Sequence, residues 1–165
     1  MQVLKFGGTS VANADNINKV VDIVKNALSK DRTIVVVSAL GGITDLLLQT
    51  GSLASKGDST YKQLLQQFTQ RHLLTVKELL PVTTQSSILS LVMQQCNEIE
   101  DVCNGVFLLG ELSARTKDKI VSYGEVISSQ IIAAYLNCIE TKSTWVDARK
   151  LIITDSNFTK GNVDY

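Results

Sequence analysis

Several things are scarce in this sequence. It holds one proline, one histidine and one tryptophan, and aromatic residues make up only 5% of it. Net charge is absent too: sixteen Lys and Arg balance sixteen Asp and Glu. That balance leaves no electrostatic footprint for nucleic acid or an anionic membrane surface. No apolar run approaches the roughly 20 residues of a membrane span. The start has no basic region followed by an apolar one, so it does not read as a signal peptide. The three cysteines (Cys96, Cys103 and Cys138) are odd in number and lack metal-type pair spacing. They read as buried reduced thiols, with Cys96 and Cys103 on one helix face, which implies a cytoplasmic protein.

What is present is globular. Hydrophobic residues make up 44% and charged residues 19% of 165 positions, enough for one domain, or a piece of one, with a real core. Val3 to Phe6 predicts a short strand, ended by Gly7-Gly8. Asn13 or Asp15 then caps a helix whose apolar residues recur at Ile17, Val20, Val21, Val24, Ala27 and Leu28. Thr33-Ile34-Val35-Val36-Val37 is continuous and β-branched, the pattern of a strand covered on both faces. Strand, helix and strand make a βαβ unit with parallel strands.

Ser38-Ala39-Leu40-Gly41-Gly42 punctuates the second strand as Gly7-Gly8 does the first. A helix from Ile43 is expected to break near Gly51 and again at Gly57-Asp58. Further helices are expected over residues 59–80, stopped by Pro81, then over 86–109 and 116–136. Lys142 to Val146 predicts a third strand, and residues 157–165 carry no pattern. His72 sits in a polar helical stretch and reads as solvated, as do Arg115 and Asp118; Asp147 and Arg149 read as structural anchors. The fold class is α/β: one domain with helices packed on a mostly parallel sheet.

Two parallel strands ending in Gly-Gly place two flexible loops at one carboxyl edge, where ligands bind in open α/β sheets. Backbone N–H groups of such loops, with helix N-termini behind them, form a cradle for an anion. Lys5 lies two residues before Gly7, within reach of the same space. An ammonium beside two sets of amides suits a transferring phosphoryl group, whose catalysis is mostly positioning and charge stabilisation. The plainer alternative is a pair of turns with Lys5 reaching to water. Against it, a lysine inside a strand covered on both faces would be a costly unpaired charge. Neither Gly-x-x-x-x-Gly-Lys-Ser/Thr nor Gly-x-Gly-x-x-Gly is present, so the usual P-loop and dinucleotide motifs are excluded.

Lys5-Phe6-Gly7-Gly8-Thr9-Ser10-Val11 resembles the signature of aspartate kinase, in the amino acid kinase family. Val35-Val36-Val37-Ser38-Ala39 with Gly42-Ile43-Thr44-Asp45 resembles the family's second loop. Ser122-Tyr123-Gly124-Glu125 resembles its substrate-binding segment, and Val146-Asp147-Ala148-Arg149 its third strand. The opening MQVLKFGGTSVANAD is particularly similar to that of bifunctional aspartokinase–homoserine dehydrogenases. The resemblance covers the whole chain and implies a three-layer αβα sandwich, of which residues 1–165 would be the amino-terminal, amino-acid-binding part.

The resemblance also implies roles. Lys5 would be catalytic, contacting the phosphates of ATP, with Gly7 and Gly8 donating to the phosphoryl group and Thr9 and Ser10 lining the loop. Ser38 and Thr44 would sit beside bound L-aspartate, and Glu125 would hold its α-ammonium. The β-carboxylate is the nucleophile and is already ionised at neutral pH, its reference pKa being about 3.9, so no general base is required. Magnesium would enter with ATP and no protein metal site is expected. The product would be 4-phospho-L-aspartate, at the first step toward lysine, threonine and methionine, made by a homodimer. The family's further segments, which complete the site, lie beyond Tyr165, so these residues alone are expected to turn over poorly. Two alternatives stay open: a related kinase for another carboxylate substrate, and a non-catalytic dimerisation or ligand-sensing module.

Overall fold

A computed structural model describes residues 1–164. The chain runs β1 (Gln2–Phe6), α1 (Ala14–Leu28), β2 (Thr33–Val37), α2 (Ile43–Ser55), α3 (Tyr61–Leu79), α4 (Val82–Leu109) and α5 (Ala114–Cys138), then a 3-10 turn at Ala148–Lys150. β1 and β2 pair in parallel from Gln2–Thr33 to Phe6–Val37, and the Ser38 N–H extends the ladder to the Phe6 carbonyl. The α/β class and parallel sheet are as the sequence predicts.

Local chemistry explains the helix ends. Asn13 is extended and its side chain accepts from the Asn16 N–H, while Asp15 places negative charge in the first turn of α1. Pro81, with its fixed φ and no N–H, stands at the α3–α4 junction as the N-cap of α4. Gly110 adopts a left-handed conformation (φ +67) just past Leu109, returning its N–H to the Val106 carbonyl and closing α4.

The sheet departs from expectation in its cover. Leu4, Phe6, Val35 and Val37 pack on the helical core, whereas Val3, Lys5, Ile34 and Val36 lie on an open face. An uninterrupted β-branched run is compatible with cover on both faces but does not require it; burial in β2 alternates residue by residue. The core lies between the inner face and the five helices, with Ile17, Leu47, Phe68, Ile99 and Ile127 fully buried. Cys96 and Cys103 are buried on α4 and burial raises both thiols, that of Cys103 to about 12, so neither is a nucleophile at neutral pH.

Four further expectations are corrected. α2 does not break at Gly51, which is buried where a Cβ would meet Leu112 Cδ2 at 3.2 Å; the glycine serves helix packing there. Residues 142–146 form no strand among the described residues, although burial alternates residue by residue from 141 to 147. His72 is buried, not solvated, and its Nδ1 lies 2.8 Å from the Phe68 carbonyl. Arg115 is exposed and Asp118 half-buried, as a solvated face would be, with Asp118 accepting from the Thr159 N–H at 2.7 Å and the Arg115 guanidinium 5.9 Å from the centre of the Phe158 ring. The segment beyond residue 153 has order of its own, an antiparallel bridge between Thr154 and Val163.

Candidate active site

The two glycine loops leave neighbouring parallel strands and touch. A Cβ on Gly8 would stand 3.3 Å from the Ala39 carbonyl oxygen and 3.9 Å from Ser38 Oγ. One on Gly41 would stand 2.9 Å from the Ala12 Cβ and 3.4 Å from the Gly8 carbonyl oxygen. Glycine at 8 and 41 is therefore what lets the loops lie against each other. Gly42 has a left-handed backbone (φ +80) at the N-cap of α2, a conformation a β-branched residue would not hold. The first loop is tied by the Ser10 N–H to the Gly7 carbonyl and by the Asn16 side-chain amide to the Thr9 carbonyl, both at 2.9 Å.

This junction brings together most of the residues expected in the site. Lys5 is on β1, Gly7, Gly8, Thr9 and Ser10 form the first loop, Ser38 begins the second, and Thr44 is in the first turn of α2. Lys5 is exposed on the open face, which removes the argument that its charge is buried at a cost. Its position two residues before Gly7 and on the open face leaves its ammonium accessible to a ligand over the loops. Amide, hydroxyl and ammonium donors fit phosphate oxygens; a divalent ion would be carried by the phosphates themselves.

Glu125, on α5, lies apart from the loop residues, in a groove whose lining includes none of Lys5, Gly7, Gly8, Thr9, Ser10, Ser38 or Thr44. It is half-buried and, with Ser122, lines this groove of about 780 Å³ between β2, α5 and residues 141–152. α5 is held against the end of β2 at two points. Gly124 admits Ala39 and Ile43, and the fully buried Ser128 hydroxyl donates to the Ser38 carbonyl at 2.8 Å. Ser128 was not among the residues singled out from the sequence, and nothing local in Ile127-Ser128-Ser129 distinguishes it.

The far wall of the groove is anchored by side chains. The Trp145 indole N–H donates to Ser129 Oγ at 2.9 Å. Asp147 caps the 3-10 turn and takes a two-point pair from Arg149, at 2.9 and 2.8 Å. The Arg149 hydrogen bond holds the Asp147 carboxyl below the usual range. Both act as the structural anchors expected of them. Tyr123, buried on α5, donates to Glu98 of α4 at 3.2 Å, and its phenol is raised chiefly by burial and then by the Glu98 charge.

A family model described as the amino acid kinase family matches residues 1–164. The chain belongs to the amino acid kinase family. It is 36% identical over 165 residues to a chloroplastic aspartokinase 1 of Arabidopsis thaliana, covering 98% of this chain and 28% of that protein. It is 31% identical over 158 residues to a chloroplastic bifunctional aspartokinase/homoserine dehydrogenase 1 of the same plant, covering 94% of this chain and 17% of that one. Among solved structures, E. coli aspartokinase III in complex with aspartate and ADP superposes with a TM-score of 0.86 at 28% identity, covering 99% of this chain and 35% of that one. The fold is thus amino acid kinase-like, and the chain spans about a third or less of the length of these relatives. No helix among the described residues is long and apolar enough to cross a membrane.

Proposed function

We propose that residues 1–165 are the amino-terminal, amino-acid-binding part of an aspartokinase catalytic unit. Its reaction is ATP-dependent phosphorylation of the β-carboxylate of L-aspartate, at the entry to lysine, threonine and methionine synthesis. The observation that carries this reading is the contact between the two glycine loops at the carboxyl edge of a parallel pair, with Lys5 on the strand feeding one of them. Its likeness to aspartokinases, one of them solved with aspartate and ADP, supports the choice of substrate.

In this reading Lys5 and the amides of Gly7 and Gly8 offset charge on the phosphoryl group as it moves. Thr9 and Ser10 line its loop. Ser38 and Thr44 face the amino acid, and Glu125 accepts from its α-ammonium. The attacking carboxylate brings its own charge, so the site needs to hold it in line and does not need to remove a proton. ATP arrives with magnesium on its phosphates. The working unit is a homodimer, and its compartment is aqueous.

The test is ADP release by the intact natural polypeptide, with aspartate, glutamate and other amino acids offered one at a time, beside its Lys5→Ala variant. Release driven by aspartate alone and lost in the variant is expected. Release driven equally by another carboxylate would replace the substrate. A non-catalytic sensing module has one observation in its favour: Lys5 is exposed, so its retention has no burial cost to explain. Ligand binding that ignores both Lys5→Ala and Glu125→Gln would select that second reading.

A further inference from the structure

Arg71, on the outer side of α3, is far in sequence from every motif of the candidate site. Its guanidinium nonetheless reaches both glycine loops: Nη2 donates to the Ala12 carbonyl at 2.9 Å and to the Gly41 carbonyl at 3.4 Å. These two carbonyls have a common property. Ala12 immediately precedes Asn13, the N-cap of α1, and Gly41 immediately precedes Gly42, the N-cap of α2. One planar cation therefore grips the last peptide unit before each of the two helices that start at the loops.

In a planar trans peptide the N–H points away from the C=O of the same unit. Fixing the Ala12 and Gly41 carbonyls toward Arg71 fixes the Asn13 and Gly42 N–H groups in the opposite direction. Among the described residues neither N–H donates to a main-chain acceptor, so both remain available. The loops are also in contact behind these units, at Gly41 and Ala12. A guanidinium suits this work better than an ammonium, since its donors lie in a rigid plane and it keeps its charge at every accessible pH.

We propose that Arg71 is a positioning residue for the phosphoryl-transfer site: it locks the two glycine loops in one mutual register and so aims the N-termini of α1 and α2 at the bound phosphates. This inference rests on the proposed kinase reaction for its purpose, but the lock itself is a property of the fold and is tested separately.

The experiment is residue-resolved amide hydrogen exchange on the chain as it stands, for the wild type, Arg71→Ala and Arg71→Lys, with thermal midpoints recorded alongside. The reporters are Ser10, Asn16 and Ile43, whose N–H groups close the turns at the base of the loops. Arg71→Ala is expected to speed exchange at these three by about tenfold or more, with α4 and α5 unchanged and the midpoint within about 2 °C. Arg71→Lys is expected to fall between. Unchanged exchange at the reporters, or equal acceleration throughout the chain, overturns the lock. Magnesium-ATP titrated into the intact natural polypeptide, wild type and with the same two substitutions, separates purpose from lock. Binding weakened at least about fivefold by Arg71→Ala and partly restored by Arg71→Lys supports the positioning role, and binding indifferent to Arg71 overturns it. If wild-type protein binds no ATP, the kinase reading fails and with it the purpose given to Arg71, while the exchange data still decide the lock.

Discussion

Gly124 of α5 stands against Ala39 at the end of β2: a Cβ placed on Gly124 would lie 2.9 Å from the Ala39 Cβ and 3.2 Å from Ile43 Cγ2. The neighbours are an alanine and a branched side chain already packed in the core, so neither can swing aside. Gly124→Ala should therefore destabilise the protein by about 1–3 kcal/mol, the usual cost of overpacking, and shift Glu125 away from β2. Gly105, within α4, has nothing within 4 Å of its Cβ position. Gly105→Ala should instead be neutral or stabilising by up to about 1 kcal/mol through helix propensity. Urea unfolding of the two variants side by side checks both signs.

His72 gives a pH dependence with a definite direction. Burial lowers its pKa from 6.5 to about 4, outweighing the Phe68 carbonyl, which acts the other way. Between those values the unfolded chain takes up a proton that the folded chain refuses. The contribution is therefore intact above about pH 6.5, declines as the pH falls, and is fully lost below about pH 4, amounting to about 3 kcal/mol. Stability measured from pH 7 to pH 4 should show this decline. His72→Phe should flatten that part of the profile while also removing the buried Nε2, which has no partner.

Lys5 should be separable from stability. It is exposed, so Lys5→Ala should change the free energy of unfolding by no more than about 0.5 kcal/mol. If the proposed function holds, the same variant should lose most of its affinity for magnesium-ATP. A thermal melt and a nucleotide titration on one preparation distinguish a ligand contact from a folding defect.

The outer edge of β2 should make the chain adhesive. Among the described residues β2 pairs only with β1, and Ile34 and Val36 remain 47% and 45% exposed. Unpaired backbone beside apolar side chains is a template for further strand pairing. Sedimentation of this chain should show concentration-dependent association. Ile34→Lys should reduce it with only a modest change in the melting midpoint, because Ile34 is 47% exposed at the wall of the groove and outside the buried core.

Repeats of apolar spacing made the order β-α-β and then helices readable from the sequence, and Gly-Gly after each strand marked the loops. What escaped reading escaped for physical reasons. The cover on a strand depends on what packs against it, so Thr33–Val37 could not reveal that one face is open. Gly51 looks like a break because helix propensity is local, whereas its tolerance comes from Leu112 and Ile120 pressing on it from elsewhere. His72 was hidden by its polar neighbours Gln70 and Arg71, although the spacing of Tyr61, Leu65, Phe68 and His72 places it on the buried stripe. Arg71 had no local signal at all, since its two acceptors lie 59 and 30 residues away.

Trp145 is the single tryptophan of the chain, lines the groove that Glu125 also lines, and keeps its indole N–H on Ser129. Nearly all the protein's near-ultraviolet fluorescence therefore originates at one wall of that groove. A molecule entering beside Glu125 would change the polarity around the indole and shift its emission, so occupancy could be followed in unlabelled protein and on the timescale of a stopped-flow mixer.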